Sequence, residues 1–516
     1  MVEKKVIRDP IHGYIKIEKD ILNEIVDDKH FQRLRRIEQT SMRCLYPAAR
    51  HDRFIHSLGV YYLACLAVEG LETNLEIEAS NGVEKAIPEE KKRNEIAFYF
   101  EMAALLHDVG HAPFSHTLEN FFGIKKKEDF ENREKKFETL VNELISEMKN
   151  SEVKMYGHLK EEIELAAPAF HEILSCTIMI TCFKEKIASL AAERGFEDPD
   201  YEFMVRCIVG AVYRIQSDES VQEVAEKCYK NCMIRLLNST IDVDKLDYIV
   251  RDSQNSGYDN VMVDTQRLLG ALMLKTYKNE SDQQMTEIVF KKSATNIIHD
   301  VINCRNSLYT WIYAHHKVQY EVYLIETAIK EIAKKDWKWF KKTFSLKAIR
   351  DDLLGDDDIW CKLKQYDEKI EEVTELLERN RQKKAIWKSF SEFEAYFSTN
   401  EAQNPIGEFS LAVMREKMRK EEEFIKFKKY LDTYNRNQKF VIKLYNVKLT
   451  NIKKNNIMIY VNAKTYSYDA LFSQLYPSAK LESFFYVYSQ EKMNEEDKAK
   501  LVRYIRNYKG FLNVGK

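Results

Sequence analysis

Glycine and proline are scarce in this chain, at 15 and 8 of 516 residues, so few positions break a helix or demand a tight turn. The nine cysteines are odd in number, scattered and without a Cys-x-x-Cys pair, which excludes a disulfide framework and reads as free thiols in a reducing compartment. No apolar run approaches the ~20 residues of a membrane span, and Met1-Val2-Glu3-Lys4-Lys5 leads into charged sequence instead of an apolar signal region. The expected location is the cytoplasm, with no membrane partner. A charge bias of one sign is also missing: the formal net charge is −2 and the pI about 6.7. That balance excludes whole-molecule attraction to nucleic acid or anionic membrane, so a polyanion must be held by a local cluster.

What the chain does have is apolar residues at helical spacing, separated by Lys/Glu-rich faces, over most of its length. The expected fold is mainly α, with a helical core over residues 1–335, a charged helical extension over 336–435 and a small α+β unit over 436–516. Strands are expected near 14–17, 440–449, 457–461 and 484–488, where β-branched and aromatic residues gather. Residues 74–94, with Asn81-Gly82 and Pro88, and the charged stretch 125–160 read as surface excursions, the second helical and able to act as a lid. A solvated helix with no role is the plain alternative for both.

Two histidines and two aspartates stand out as a mixed donor set: His56 in Arg53-Phe54-Ile55-His56-Ser57-Leu58-Gly59-Val60, the pair His107-Asp108, and Asp244 in Asp242-Val243-Asp244-Lys245. Two imidazoles and two carboxylates suit Mn, Fe, Mg, Ni or Zn and leave room on an octahedral ion for water and a phosphate oxygen. His56 shares a helix face with Val60, Leu63 and Ala67 and so points inward. A lone buried histidine usually just satisfies a hydrogen bond. His107 and Asp108, however, follow the small face of Phe100, Ala103 and Ala104 and are costly to bury unless paired or metal-bound.

On a helix from about 241 to 251, Arg251, Asp244, Tyr248, Asp252 and Lys245 form one arc of about 120°, opposite Leu246, Ile249 and Val250. An ordinary amphipathic helix is the alternative. Gly110 to Glu119 reads as a turn feeding a new helix, with Pro113 near its first position and free N–H groups that can face a phosphate. His111, His116 and Glu119 there make an imidazole-rich shell able to protonate a leaving oxygen or steer water. Arg305, Tyr309, Tyr313 and His316 recur at helical spacing, a set that can neutralise phosphate and stack on a base, or simply pack as an aromatic helix.

Together with Arg8-Asp9-Pro10-Ile11-His12-Gly13-Tyr14, Phe31-Gln32-Arg33-Leu34-Arg35 and Arg305-Asn306-Ser307-Leu308, these residues form an ordered series over nearly the whole chain. The series resembles the HD-domain deoxynucleoside triphosphate triphosphohydrolases, especially the animal member that joins a sterile-alpha-motif domain to its HD domain, and its bacterial relatives. The resemblance implies His56, His107, Asp108 and Asp244 as metal ligands and His116, Glu119 and His171 as the catalytic shell. It implies Arg53, His111, Lys245, Tyr248, Asp252, Arg305 and Tyr313 as substrate contacts, with Gln39 near the sugar. The implied reaction is attack of an activated water on the α-phosphorus, releasing a deoxynucleoside and inorganic triphosphate.

The resemblance further implies a homo-oligomer, often a tetramer, and an activating nucleotide held between subunits by Lys5, Val6, Asp27, Gln32 and Arg35. Paired surface charges at Asp27 and Arg35 are the alternative. The sequence departs from the animal pattern in lacking the sterile-alpha-motif domain, in carrying Glu119 for an aspartate, and in placing Thr40 where a leucine meets the deoxyribose. Two other classes fit the same donor set: a phosphodiesterase or nuclease, with the basic aromatic stretch 334–342 on a single strand, and a non-catalytic nucleotide sensor. For that stretch an amphipathic helix with inward tryptophans is favoured, and the full histidine shell argues against the sensor.

Overall fold

The computed structural model describes residues 3–82, 85–155, 157–258, 262–398, 408–418, 420–434, 440–445, 457–462, 464–472 and 484–513. The chain falls into two contact units, one made of Met1–Arg305, Ile332–Lys362 and Thr450–Ser478, the other of Asn306–Glu331, Leu363–Leu449 and Ala479–Lys516. These units interleave along the chain, where the sequence pattern suggested three consecutive segments. All nine cysteines are free thiols.

The first unit is built around the helix Arg53–Ser80, started by Asp52, whose side chain accepts the Ile55 N–H at 3.0 Å. Phe54, His56, Leu58, Gly59, Val60 and Tyr61 are buried, so the first turns of the helix are covered on all sides. The helices Glu90–Leu106 and Val243–Ser256 and the strand Leu272–Lys278 pack on it. By length and composition it passes for a membrane span, which counting apolar runs missed, yet 61% of its most apolar window is buried inside the protein. Its C-terminal part also revises the excursion expected from residue 74: Asn74 is buried, donating to the Gly270 and Leu272 carbonyls, and only Asn81-Gly82 ends the helix.

Lys4–Asp9 and Gly13–Glu18 pair as an antiparallel hairpin whose alternation buries Ile15 and Ile17, and Gly13 takes φ +77° at the turn. A second hairpin, Leu272–Lys278 with Gln284–Lys291, was not anticipated from the sequence. It is extended by Met458–Val461, parallel, and Lys464–Ser467, antiparallel. The strand expected near 457–461 therefore belongs to this sheet and not to a terminal unit of its own. The charged stretch 125–160 carries the helix Arg133–Asn150, which packs through Leu140, Val141 and Leu144 near the helix Phe170–Ile178. Trp337 stacks on Phe340 at 5.1 Å and lies beside Phe130, so the basic aromatic stretch packs its rings inward.

In the second unit, Phe484–Ser489 lies between Lys384–Ala385 and Val441–Tyr445, antiparallel to both. All six of its residues are buried, and Trp387 sits in a cage of Phe393, Phe397 and Phe485. The expected strand 440–449 is present as Val441–Tyr445; its last residues lie outside the described ones. Tyr309 and Tyr313 belong here, in a one-turn π-helix where their rings meet edge to face at 5.0 Å, and His316 opens the next helix.

Candidate metal centre

His56 is fully buried on the central helix, and its Nδ1–H donates to Asp247 Oδ2 at 2.7 Å. His107 follows the last turn of Glu90–Leu106 and donates its Nδ1–H to the Ala104 carbonyl at 2.8 Å. Both rings are thus pinned through Nδ1 and turn Nε2 toward the same space. Asp244 Oδ1 lies 3.1 Å from His56 Nε2 and 3.8 Å from His107 Nε2; Asp108 lies 3.7 and 3.5 Å from the same two nitrogens. The two Nε2 atoms are buried without a hydrogen-bond partner. The two unsatisfied imidazole nitrogens and Asp244 lie close enough together to share a divalent cation, with Asp108 beside them.

The charges around this set are fixed by named partners. Arg53 donates from NH1 to Asp108 Oδ2 at 2.6 Å, from NH2 to the Gln39 carbonyl at 2.9 Å and from Nε to Ser115 Oγ at 3.0 Å. Burial opposes ionisation of Asp108, but the Arg53 guanidinium beside it holds its carboxyl well below the usual range. Burial likewise pulls His56 down, and the Asp244 and Asp247 carboxylates outweigh it, pushing the imidazole up to about 9. Lys245 bonds Asp242 Oδ2 at 2.5 Å and lies within the field of Arg305.

A second cluster adjoins the first. His171 donates Nδ1–H to Glu119 Oε2 at 2.8 Å, and His116 Nδ1 lies 3.5 Å from the same oxygen. His111 stacks on His171 with centroids 4.4 Å apart and is fully buried with neither ring nitrogen hydrogen-bonded. His116 is the exposed member. For His171 burial acts downward, and the bond to Glu119 more than reverses it, pushing the ring up to about 9; His116 first and His171 second hold Glu119 well below its usual range despite burial. Burial, then Arg53 and His171, keep His111 neutral, far below 6.5. A buried imidazolium–carboxylate pair thus lies against a neutral imidazole.

The loop bearing these histidines corrects the expected helix. Gly110 to Glu119 forms short 3-10 turns at Ser115–Thr117 and Glu119–Phe121, entered through Phe114 and Ser115 at φ +54° and +51°. Two successive left-handed residues cannot continue into an α-helix. The Phe114 N–H that a helix start would offer to phosphate goes instead to Asp356 Oδ1 at 2.7 Å. Asp356 Oδ2 also accepts the Glu38 N–H at 2.9 Å, and Ser115 Oγ donates to the Glu38 carbonyl at 2.5 Å. Gly110 has no room for a side chain, since a Cβ there meets the backbone of Leu174 and Ser175 at 2.3 Å.

The structure brings together His56, His107, Asp108, Asp244, Arg53, His111, His116, Glu119, His171 and the backbone of Gln39. The arc expected on the Asp244 helix is divided differently: Tyr248 is half-buried, while Arg251 and Asp252 are fully buried, Asp252 held by His51 Nε2 at 2.7 Å and Arg251 by Asp247 and Asp9. Tyr313 belongs to the other unit. Lys5, Val6, Asp27 and Arg35 are exposed, and Arg35 sits on the Phe54 ring at 3.5 Å and bonds Gln32 Oε1, in place of a pairing with Asp27. Sequence reasoning missed Asp247, His12, His51 and Asp356. The spacing Asp244, Asp247, Arg251 on one helix was the available signal for the first.

Residues 53–177 match the HD domain family model. That stretch thus resembles an HD domain, and the site built on it offers an imidazole–carboxylate set to a divalent metal. The chain is similar to the deoxynucleoside triphosphate triphosphohydrolase SAMHD1 of Homo sapiens, at 29% identity over 319 residues covering 60% of this chain and 42% of that one. SAMHD1 of Danio rerio is 28% identical over 63% of this chain and 44% of its own, and the Bacillus subtilis protein YwfO 27% over 61% and 52%. The chain thus spans about half the length of the curated relatives it matches. Among solved structures, a hypothetical protein from Aquifex aeolicus aligns over 98% of this chain and all of its own, with a TM-score of 0.57 at 18% identity. A phosphohydrolase from Bacteroides thetaiotaomicron aligns over 94% and 100%, with a TM-score of 0.54, also at 18% identity. These two share the fold.

Proposed function

We propose that this chain is a metal-dependent triphosphohydrolase that cuts deoxynucleoside triphosphates into deoxynucleoside and inorganic triphosphate. The observation that carries it is the junction of the two clusters: Arg53 binds Asp108 of the donor set and Ser115 of the histidine loop within one guanidinium. His56, His107, Asp108 and Asp244 would hold the cation, which when bound polarises a phosphoryl oxygen and lowers the pKa of water. Arg53, Lys245 and Arg305 offset the charge of the triphosphate. His171, kept protonated by Glu119, presents Nε2–H as a donor for the leaving oxygen, and His116 on the same carboxylate exchanges that proton with solvent. Gln39, Tyr248, Asp252 and Tyr313 remain as proposed nucleotide contacts, as do Lys5, Val6, Asp27, Gln32 and Arg35 for an activating nucleotide in a homo-oligomer. The similarity to SAMHD1 supports the choice of substrate.

The test is to incubate the Mn-loaded protein with each dNTP and rNTP, singly and mixed, and to resolve the products by ion exchange. Deoxynucleoside plus intact triphosphate is expected, abolished in Asp244→Asn with the fold retained. No turnover of any nucleotide would overturn the reading in favour of a phosphodiesterase or nuclease, and a fully active Asp244→Asn would overturn the assignment of the metal ligands.

A further inference from the structure

One carboxylate behind the donor set is the junction of an unusually complete network. Asp247 Oδ2 accepts His56 Nδ1–H at 2.7 Å and Arg251 Nε–H at 2.7 Å; Oδ1 accepts His12 Nε2–H at 2.7 Å and Arg251 NH2 at 2.8 Å. Four short donors fill the roughly four lone-pair sites of a carboxylate, so its orientation is fully specified. Asp247, Arg251, His56 and Asp9 are all completely buried. Arg251 NH1 continues the chain to Asp9 Oδ2 at 2.9 Å, and Asp9 Oδ1 accepts the Ile11 and His12 N–H groups at 2.8 and 2.6 Å. Asp9 and His12 form the turn of the N-terminal hairpin, whose strands close at the Asp9–Gly13 pair.

The hairpin turn and the metal-facing histidine therefore hold opposite oxygens of one buried carboxylate. His56 can turn Nε2 toward Asp108 and Asp244 only with Nδ1 protonated and aimed at Asp247, because imidazole has one lone pair to give and one N–H to place. If the turn lifts, Oδ1 loses a donor, the carboxylate gains freedom to rotate, and the His56 ring loses its fixed direction. Conversely, an ion fixing His56 Nε2 fixes Asp247 and strengthens the seat of His12.

We propose that Asp247 is the positioning residue for His56, and that through Asp247 and His12 the docking of the N-terminal hairpin and the filling of the metal site are one linked equilibrium. Linkage is reciprocal: whatever factor the docked hairpin adds to metal affinity, the metal adds to hairpin docking. This rests on His56 and Asp244 being metal ligands, and the experiment separates the two claims.

Mn2+ affinity is measured by competition with a chromophoric chelator for the wild type, Asp244→Asn, Asp247→Asn, His12→Ala and His12→Gln, each checked for its fold by circular dichroism. Amide hydrogen exchange of residues 4–18 is followed with and without Mn2+ in the same proteins. Asp247→Asn is expected to weaken Mn2+ roughly 10- to 100-fold. His12→Ala is expected to weaken it several-fold, and His12→Gln, which keeps a side-chain N–H donor, to recover part of that loss. Mn2+ should slow exchange across the hairpin in the wild type and lose that effect in His12→Ala, a readout that a purely structural role for His12 does not move. Loss of binding in Asp244→Asn with unchanged affinity and exchange in the His12 variants overturns the linkage and leaves the site standing. Unchanged binding in Asp244→Asn overturns the site itself. Should Asp247→Asn fail to fold, the two His12 variants alone decide.

Discussion

Replacing Gly59 by alanine puts one methyl group into the tightest contact between the central helix and the Asp244 helix. A Cβ built there meets Asp247 Oδ1 at 1.9 Å, Arg251 NH2 at 2.5 Å and Asp247 Cγ at 2.7 Å. Ordinary contact between heavy atoms needs about 3.5 Å, so the carboxylate has to move by about 1.5 Å. An exposed side chain would swing aside at little cost. This one is fixed by four bonds of 2.7–2.8 Å, and a shift of that size breaks several of them. Overpacking of this kind costs roughly 1–3 kcal/mol, and disrupting a buried charge pair roughly 3–5 kcal/mol, against about 1 kcal/mol returned by the better helix propensity of alanine. The net expectation is a loss of about 3–7 kcal/mol, which in a domain of this size lowers Tm by roughly 4–9 °C. Calorimetry with and without Mn2+ measures it, and the metal-induced rise in Tm should shrink as well, since Asp247 carries His56. An unchanged or higher Tm with full metal stabilisation would show that the two helices do not approach this closely and would refute the reasoning.

Asp356→Ala strips two backbone N–H groups, those of Glu38 and Phe114, of their buried acceptor. The cost is roughly 1–3 kcal/mol for each group left unpaired, read by urea unfolding, and kcat should fall because both loops that hold Arg53 relax. His171 is raised to about 9 from 6.5, so the stability it draws from Glu119 is complete below pH 6.5 and lost as pH rises through 9. Glu119, depressed, gives the mirror image: its contribution is complete above about pH 4.5 and is lost in acid. A pH series of denaturant midpoints should therefore decline between 6.5 and 9 more steeply in the wild type than in His171→Gln, and an alkaline limb near 9 should appear in the rate. Chelation should abolish turnover, with Mn2+ restoring it, and should cost the wild type more thermal stability than it costs Asp244→Asn.

The helical character of the chain was legible because periodicity is local: Arg53–Ser80, Glu90–Leu106 and Val243–Ser256 each declare themselves within their own residues. The sheet partners were not, because pairing is a long-range choice. Met458–Val461 reads as a strand by composition, but nothing in its composition says that it joins Gln284–Lys291, some 170 residues earlier, while Val441–Tyr445 joins Phe484–Ser489. The Gly110–Glu119 loop failed for a different reason. Pro113 favours a helix start wherever the next residues can take right-handed angles, and the contact of Asp356 with the Phe114 N–H, from a segment about 240 residues away, overrides that preference.

The donor set was legible for the same reason that its support was not. His56, His107 and Asp108 are polar residues in apolar stretches, and Asp244 stands in a conspicuous Asp-Val-Asp-Lys run, so each carries its own signal. Asp247 does not, and Asp9 and His12 stand out only as members of a run with no role attached, because each is an ordinary polar residue until the fold sets it beside the others. Asp247 falls three residues after Asp244, about 60° away around the helix. That offset lets one helix present Asp244 to the metal space and Asp247 to the back of His56. The proposed ligand Asp244 and the proposed positioning residue Asp247 thus come from a single turn, and a shift of that turn changes both together. A variant that moves the helix without touching either aspartate, as Gly59→Ala does, should therefore lose metal affinity and stability in proportion, whereas Asp244→Asn should lose affinity with much less of the stability.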